Sequence, residues 1–134
     1  MKLSKNTGIT LIELMVTLAI LAIVTAIAIP TYTDYVTAGR QTECNNEVAR
    51  IQLAEEEFFL ENNTYFLGAD VATLETNSQG IYNSSYPNAA AIAAADCSYA
   101  VAAGTTGNIN SSYQVTATGQ NNLAGLGVIV QNGN

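Results

Sequence analysis

Apolar residues are concentrated in one continuous stretch near the start of the chain, at residues 9–29. This stretch contains a single charged side chain, that of Glu13. As an α-helix it would span roughly 31 Å at 1.5 Å per residue, which matches the hydrocarbon core of a bilayer. The remainder of the chain is rich in Asn, Thr, Ser and Gly. The pattern therefore predicts an apolar stem followed by a polar head.

A second periodic pattern follows Pro30. Apolar residues recur there at spacings typical of one face of an amphipathic helix: Cys44, Val48, Ile51, Ala54 and Phe58. We predict one helix over about residues 9–61, ended by the run 62–64. A kink or local opening is expected just before Pro30, because proline lacks a backbone donor and crowds the preceding turn. The acidic residues lie mostly off the apolar face and are expected to be solvated: Glu43, Glu47, Glu55, Glu56 and Glu57.

The rest of the chain predicts a long connection and a small sheet. Residues 67–96 show no clear period, although the alanine run 89–95 favours a short helical turn. Three alternating segments follow within residues 97–131 and predict an antiparallel three-stranded meander. The predicted inward faces are Cys97, Tyr99, Val101 and Ala103; then Tyr113, Val115 and Ala117; and finally Leu126, Val128 and Val130. The fold class is therefore α+β, with the long N-terminal helix packed against a C-terminal three-stranded antiparallel sheet.

The charge balance restricts the function. The formal net charge is −7, and Lys2 and Lys5 precede the apolar stretch, so the head carries only Arg40 and Arg50 as basic residues. An acidic head repels phosphate backbones, so the head itself is not expected to bind nucleic acid. Without histidine, the chain has no nucleophile–base arrangement, and we predict neither an enzyme nor a cofactor or metal site. Calcium binding at residues 55–57 is a minor alternative, since adjacent carboxylates on a helix point apart.

Glu13 is the unusual feature of the apolar stretch. A carboxylate in a membrane helix costs about 2.5–3.5 kcal/mol on insertion scales and marks function by default. If the chain is cut between Gly8 and Ile9, the new α-amine of Ile9 lies one helical turn from Glu13. The amine of one copy and the carboxylate of the next can then neutralise each other in an apolar bundle, and the pairing fixes axial register.

Two simpler interpretations of the N-terminal segment stay open from the residues alone. One is an ordinary secretory signal peptide, with Lys2 and Lys5 as its charged region and residues 26–28 as a small-x-small cleavage site. The other is a plain transmembrane anchor. Neither explains an acidic residue within the apolar stretch.

The junction Gly8-Ile-Thr-Leu-Ile-Glu-Leu-Met-Val resembles the class III leader junction of type IV pilins and pseudopilins. The resemblance covers about residues 1–65. It implies a leader peptide at residues 1–8, cleavage after Gly8 by the prepilin peptidase and methylation of the new N-terminus at Ile9. It also implies an assembly role for Glu13 and a helix kink at Pro30. Ile9 replaces the usual phenylalanine, a change that the family tolerates.

The resemblance implies a domain plan and a function. The plan is a stem at residues 9–30 and a head at 31–134, in which 31–61 form the amphipathic half of the helix, 67–96 the αβ-loop and 97–131 the sheet. The implied function is a structural subunit of a type IV pilus that supports adhesion, surface motility and DNA uptake by the filament. Its implied partners are other pilin copies, the prepilin peptidase, the inner membrane and the pilus assembly machinery. The alternatives are a type II secretion pseudopilin and a DNA-receptor minor pilin.

The resemblance also implies a location, which agrees with the charge pattern. Lys2 and Lys5 should stay on the cytoplasmic side and residues beyond Pro30 on the other. The precursor is therefore expected in the inner membrane with its head in the periplasm, and the assembled subunit in an extracellular filament.

Cys44 and Cys97 are the two cysteines of the chain. An even cysteine count in a translocated chain predicts one disulfide, which would tie the amphipathic helix to the first strand. Two buried free thiols are the alternative.

Overall fold

The computed structural model describes residues 8–133, so of the predicted leader only Gly8 is included. The elements of the described part, in chain order, are α1 (Leu11–Asn62), α2 (Val71–Asn77), α3 (Ala89–Ala94), β1 (Cys97–Ala103), β2 (Tyr113–Gly119), a 3₁₀ turn (Asn121–Leu123) and β3 (Ile129–Gly133). The chain divides into two compact units, one ending at Val36 and the other beginning at Thr37. The leader and a boundary at residue 30 stay predictions.

Helix α1 is continuous through Pro30, as predicted, and the kink there stays a prediction. Near the proline, the hydroxyl of Thr31 donates to the carbonyl of Ile27 at 3.0 Å. The helix ends at Asn62, where Asn63 takes a left-handed φ of 53°. The N–H of Asn63 bonds back to the carbonyl of Phe59 at 2.8 Å, so the polar run ends the helix as expected.

The sheet is the predicted meander, an antiparallel arrangement in the order β1-β2-β3. Val101 pairs with Val115, and Ala117 pairs with Ile129. The predicted inward face of the third strand is wrong. Side chains alternate along a strand, so pairing Ile129 with the buried Ala117 turns Val130 outward, whereas Leu126 and Val128 lie before the strand begins. The residues predicted to face inward are exposed: Leu126, Val128 and Val130.

The core of the head combines the predicted stripe of α1 with the inward faces of β1 and β2. All members of these sets are buried except Ala103, which is half-buried. The described residues also contain a helix that was not predicted, α2, inside the long connection. Asp70 and Thr73 form a reciprocal capping box at its start, and Leu74 is fully buried beneath it. The alanine run forms α3, as predicted.

Candidate functional site

The start of α1 is capped by a side chain two residues after the predicted cleavage point. The N–H of Glu13 donates to the hydroxyl oxygen of Thr10 at 3.3 Å, and the N–H of Leu14 donates to the carbonyl of Thr10 at 3.2 Å. Glu13 therefore lies in the first helical turn. A negative charge is favourable there because the N-terminal end of a helix carries partial positive charge.

The stem leaves its apolar surface uncovered. Every large apolar side chain from Ile9 to Ile29 is between 49% and 77% exposed. By length and composition the helix is long and apolar enough to cross a membrane. Such a surface is stable only against lipid or against other apolar helices.

Glu13 has no counter-charge within residues 8–133. The ion pairs of this part of the chain join Arg40 to Asp96 at 3.3 Å and Arg50 to Glu47 at 3.7 Å. Within the apolar stem, these residues therefore leave the carboxylate of Glu13 without a neutralising cation.

The disulfide between Cys44 and Cys97 is formed, which confirms the prediction and excludes two free thiols. Its Cα atoms are 6.0 Å apart, and both residues are buried. The bond ties α1 to the first residue of β1 across a sequence separation of 53. It lines a surface cavity of about 240 Å³ that contains no ionisable side chain, so the cavity carries no acid–base chemistry.

Glu47 is buried, so the prediction that it is solvated is wrong. Its Oε1 accepts hydrogen bonds from the Tyr82 hydroxyl at 2.7 Å and from the Ser85 N–H at 3.3 Å, and its Oε2 accepts from the Ser85 hydroxyl. Arg50 lies beside it and donates to the carbonyl of Asn83 at 2.5 Å. One carboxylate thus fastens residues 82–85 of the long connection to α1. Burial, with the contact to Glu47, raises the pKa of the Tyr82 hydroxyl, which therefore stays protonated as a donor.

Glu55 is also buried, with 0% of its surface exposed, and its predicted solvation is wrong too. Its Oε2 accepts the backbone N–H of Phe66 at 3.0 Å, while its Oε1 has no partner among residues 8–133. Burial raises the pKa of this carboxyl to about 8; the Phe66 bond acts against the rise and the charge of Glu56 adds to it. Glu55 is therefore mostly a neutral acid at neutral pH.

A spacing signal exists for both buried acids. Glu47 and Glu55 lie four residues before and four residues after Ile51, the centre of the buried stripe. Positions four apart share one face of a helix, so the spacing places both carboxyls on the packed side. Within residues 8–133, no group of three or more His, Cys, Asp or Glu side chains is arranged to hold a metal ion.

Two family models match the chain, and together they cover most of it. The "Prokaryotic N-terminal methylation motif" matches residues 3–29. The "Type IV minor pilin ComP, DNA uptake sequence receptor" matches residues 30–125, well over half of the chain. The chain therefore belongs to the type IV pilin family. Proteins of this family are structural subunits and not enzymes.

Curated relatives agree with this assignment. The chain is 37% identical over 70 residues to the type IV major alpha-pilin of Moraxella bovis, covering 52% of the chain and 44% of the relative. It is 38% identical over 61 residues to the type IV major pilin protein PilA of Myxococcus xanthus, covering 46% and 28%. It is 46% identical over 54 residues to a fimbrial protein of Pseudomonas aeruginosa, covering 40% and 35%. Each match thus spans less than half of the relative, and no solved structure matches significantly.

Proposed function

We propose that the chain is a structural subunit of a type IV pilus, assembled through its N-terminal helix after the leader is removed. The observation that carries the proposal is Glu13, the single charge of the uncovered apolar stretch 9–29, which has no counter-charge among residues 8–133. A charged carboxylate of this kind is expensive in lipid unless a cation meets it.

In this proposal, the prepilin peptidase cuts between Gly8 and Ile9 and methylates the amine of Ile9. Before assembly, the stem lies in the inner membrane and the head lies in the periplasm. During assembly, the Ile9 amine of one copy neutralises Glu13 of its neighbour. A copy gains this pairing only at one axial stagger, so the pair selects the register of the growing filament. The completed extracellular filament supports adhesion and surface motility.

The test compares Glu13→Ala with Asp34→Ala, because Asp34 is an exposed acid of the same helix beyond the apolar stretch. Glu13→Ala should still be inserted and cleaved, whereas its amount in filaments sheared from cells should fall at least about tenfold, as expected for losing about 1.4 kcal/mol or more of pairing. Asp34→Ala should assemble normally. Equal incorporation of both variants would refute the pairing mechanism, and a mature N-terminus other than methylated Ile9 would refute the processing step.

The description of the family model favours a second candidate function, that of a DNA receptor on the filament. The charges of the head argue against it: Arg40 and Arg50 are already engaged with Asp96 and Glu47. Titration of labelled duplex DNA with purified filaments at low and at physiological salt decides between the two. A receptor should bind with an affinity that falls steeply with salt, because phosphate contacts release counterions. Absence of binding at low salt would leave the structural role alone.

A further inference from the structure

Two tyrosines lie just beyond the apolar stretch with their rings uncovered. Tyr32 is 70% exposed and Tyr35 is 80% exposed. The other five tyrosines, all in the second unit, are buried or half-buried: Tyr65, Tyr82, Tyr86, Tyr99 and Tyr113. The exposed pair therefore does not serve the core of the head. Residues three apart lie on neighbouring positions of a helix surface, so the two rings share one side of α1.

The distance of the two tyrosines from the end of the apolar stretch is close to the thickness of a lipid headgroup layer. At 1.5 Å per residue, Tyr32 lies about 4.5 Å and Tyr35 about 9 Å beyond Ile29, the last residue of the apolar stretch. The polar headgroup region of a bilayer adds roughly 5–8 Å on each side of its hydrocarbon core. When residues 9–29 span that core, Tyr32 lies within the outer headgroup region. The Cα of Tyr35 lies at its outer edge, and its side chain leans back toward the helix N-terminus, as helical side chains do, so its ring reaches the same region.

The chemistry around the rings is apolar on the stem side and polar at the tips. Tyr32 and Tyr35 line an open groove of about 650 Å³. Its other lining residues are Val24, Ile27, Ala28 and Thr31. Both tyrosine side chains are exposed, and a hydroxyl that left water without gaining a hydrogen-bond partner would be costly. The boundary between acyl chains and headgroups suits both parts of the surface. The acyl chains cover the apolar groove, while water and headgroup oxygens solvate the tyrosine hydroxyls.

We propose that Tyr32 and Tyr35 dock on the outer headgroup layer of the membrane and fix the depth of the stem before assembly. The inference rests on the proposed function, because it requires an inserted stem. Glu13 lies about 24 Å below Ile29 along the helix axis, so an anchor at the outer surface holds every waiting copy with its carboxylate at one level. Copies at one level meet in register, which favours the charge pairing that assembly uses.

The absence of tryptophan from the chain permits a direct test with the full-length protein. Tyr32→Trp, Tyr35→Trp and Leu21→Trp each give a single tryptophan, which is excited selectively at the red edge of its absorption, in vesicles of phosphatidylethanolamine and phosphatidylglycerol. The tryptophans at the two tyrosine positions should be quenched about twofold or more better by a headgroup-level quencher than by one deep in the acyl chains. The tryptophan at Leu21 should show the opposite preference.

A second arm tests the anchoring itself, with Leu21→Trp as the reporter of depth. Replacing both tyrosines by serine should broaden the distribution of depths of the tryptophan at position 21, or shift its mean depth. Asp34→Asn should leave that distribution unchanged. If the reporter is not quenched deep in the bilayer, insertion and the proposed function fail together. If the reporter is deep while the tryptophans at 32 and 35 are quenched only by a water-soluble quencher, the proposed anchoring is refuted and the proposed function is not. The anchor is also refuted if the serine pair keeps the depth and loses only filament incorporation, because the tyrosines would then pack between subunits.

Discussion

Replacing Glu55 by glutamine should remove much of the pH dependence of the head's stability. The glutamine amide has nearly the shape of the protonated carboxyl and retains an oxygen that can accept the N–H of Phe66, the observed partner of Glu55. It cannot ionise, whereas the buried carboxyl must either hold its proton or place a charge where water does not reach.

The magnitude follows from the pKa of the carboxyl, which is 4.5 as its ordinary value and about 8 in the folded head. Between these values the folded chain keeps a proton that the unfolded chain releases, so stability falls as pH rises, by about 1.4 kcal/mol per pH unit. The contribution is fully present below pH 4.5 and lost above about pH 8. The whole loss is on the order of 4–5 kcal/mol, a large fraction of the stability of a small domain.

The assay is urea unfolding of residues 31–134, followed by near-ultraviolet circular dichroism of the tyrosines from pH 5 to pH 9. The unfolding free energy of Glu55→Gln should rise steadily relative to that of the wild type above pH 5. That of Glu57→Gln, at an exposed position of the same helix, should change with pH as the wild type's does. Parallel stability curves for Glu55→Gln and the wild type would show that the carboxyl is ionised in the folded head, and the reasoning from burial would be wrong.

Three further perturbations test the packing of the head by denaturant unfolding. Reducing the disulfide should cost about 4 kcal/mol, because it releases a long closed loop in the unfolded chain, and an unchanged midpoint would contradict this. Gly119→Ala should cost about 1–3 kcal/mol, since a Cβ there would lie 2.4 Å from the carbonyl oxygen of Leu123; Gly127→Ala, with nothing within 4 Å, is its neutral control. Glu47→Gln should cost about 2–3 kcal/mol, and Ser85→Ala should cost less in that background than alone, because the two residues share hydrogen bonds.

The elements that sequence predicted correctly are those with an unambiguous period. The stripe from Cys44 to Phe58 repeats at helical spacing over several turns, and β1 and β2 alternate cleanly, so one helix and two strands follow from pattern alone. The segment that leads into the third strand has consecutive apolar residues, Val128, Ile129 and Val130, so it shows no alternation. The register of its pairing with β2 decides which side chains face inward, and that register cannot be predicted from the residues of the strand itself.

The buried acids escaped prediction for a different reason. The charge of a glutamate normally keeps it out of a protein core. Its residue type therefore predicts solvation even where its spacing along the helix predicts burial. Burial of Glu47 depends on donors from residues 82–85, and burial of Glu55 depends on the N–H of Phe66 and on a retained proton. These partners lie 11 to 38 residues away along the chain, so only the folded structure brings them together.

Hydrogen bonds to glutamate side chains explain how the long connection, residues 63–96, is held against a small core. A three-stranded sheet covered by one helix offers a limited core. Along residues 63–96 several backbone and hydroxyl donors are met by acids: Glu55 at Phe66, Glu75 at Ser84, and Glu47 at Tyr82 and Ser85. The formal net charge of the whole chain, −7, is therefore a poor measure of the head's surface charge, since it counts buried acceptors such as Glu47 and the mostly protonated Glu55 as solvated charges. Substitutions of these acids should act mainly by loosening the connection and only weakly through surface charge.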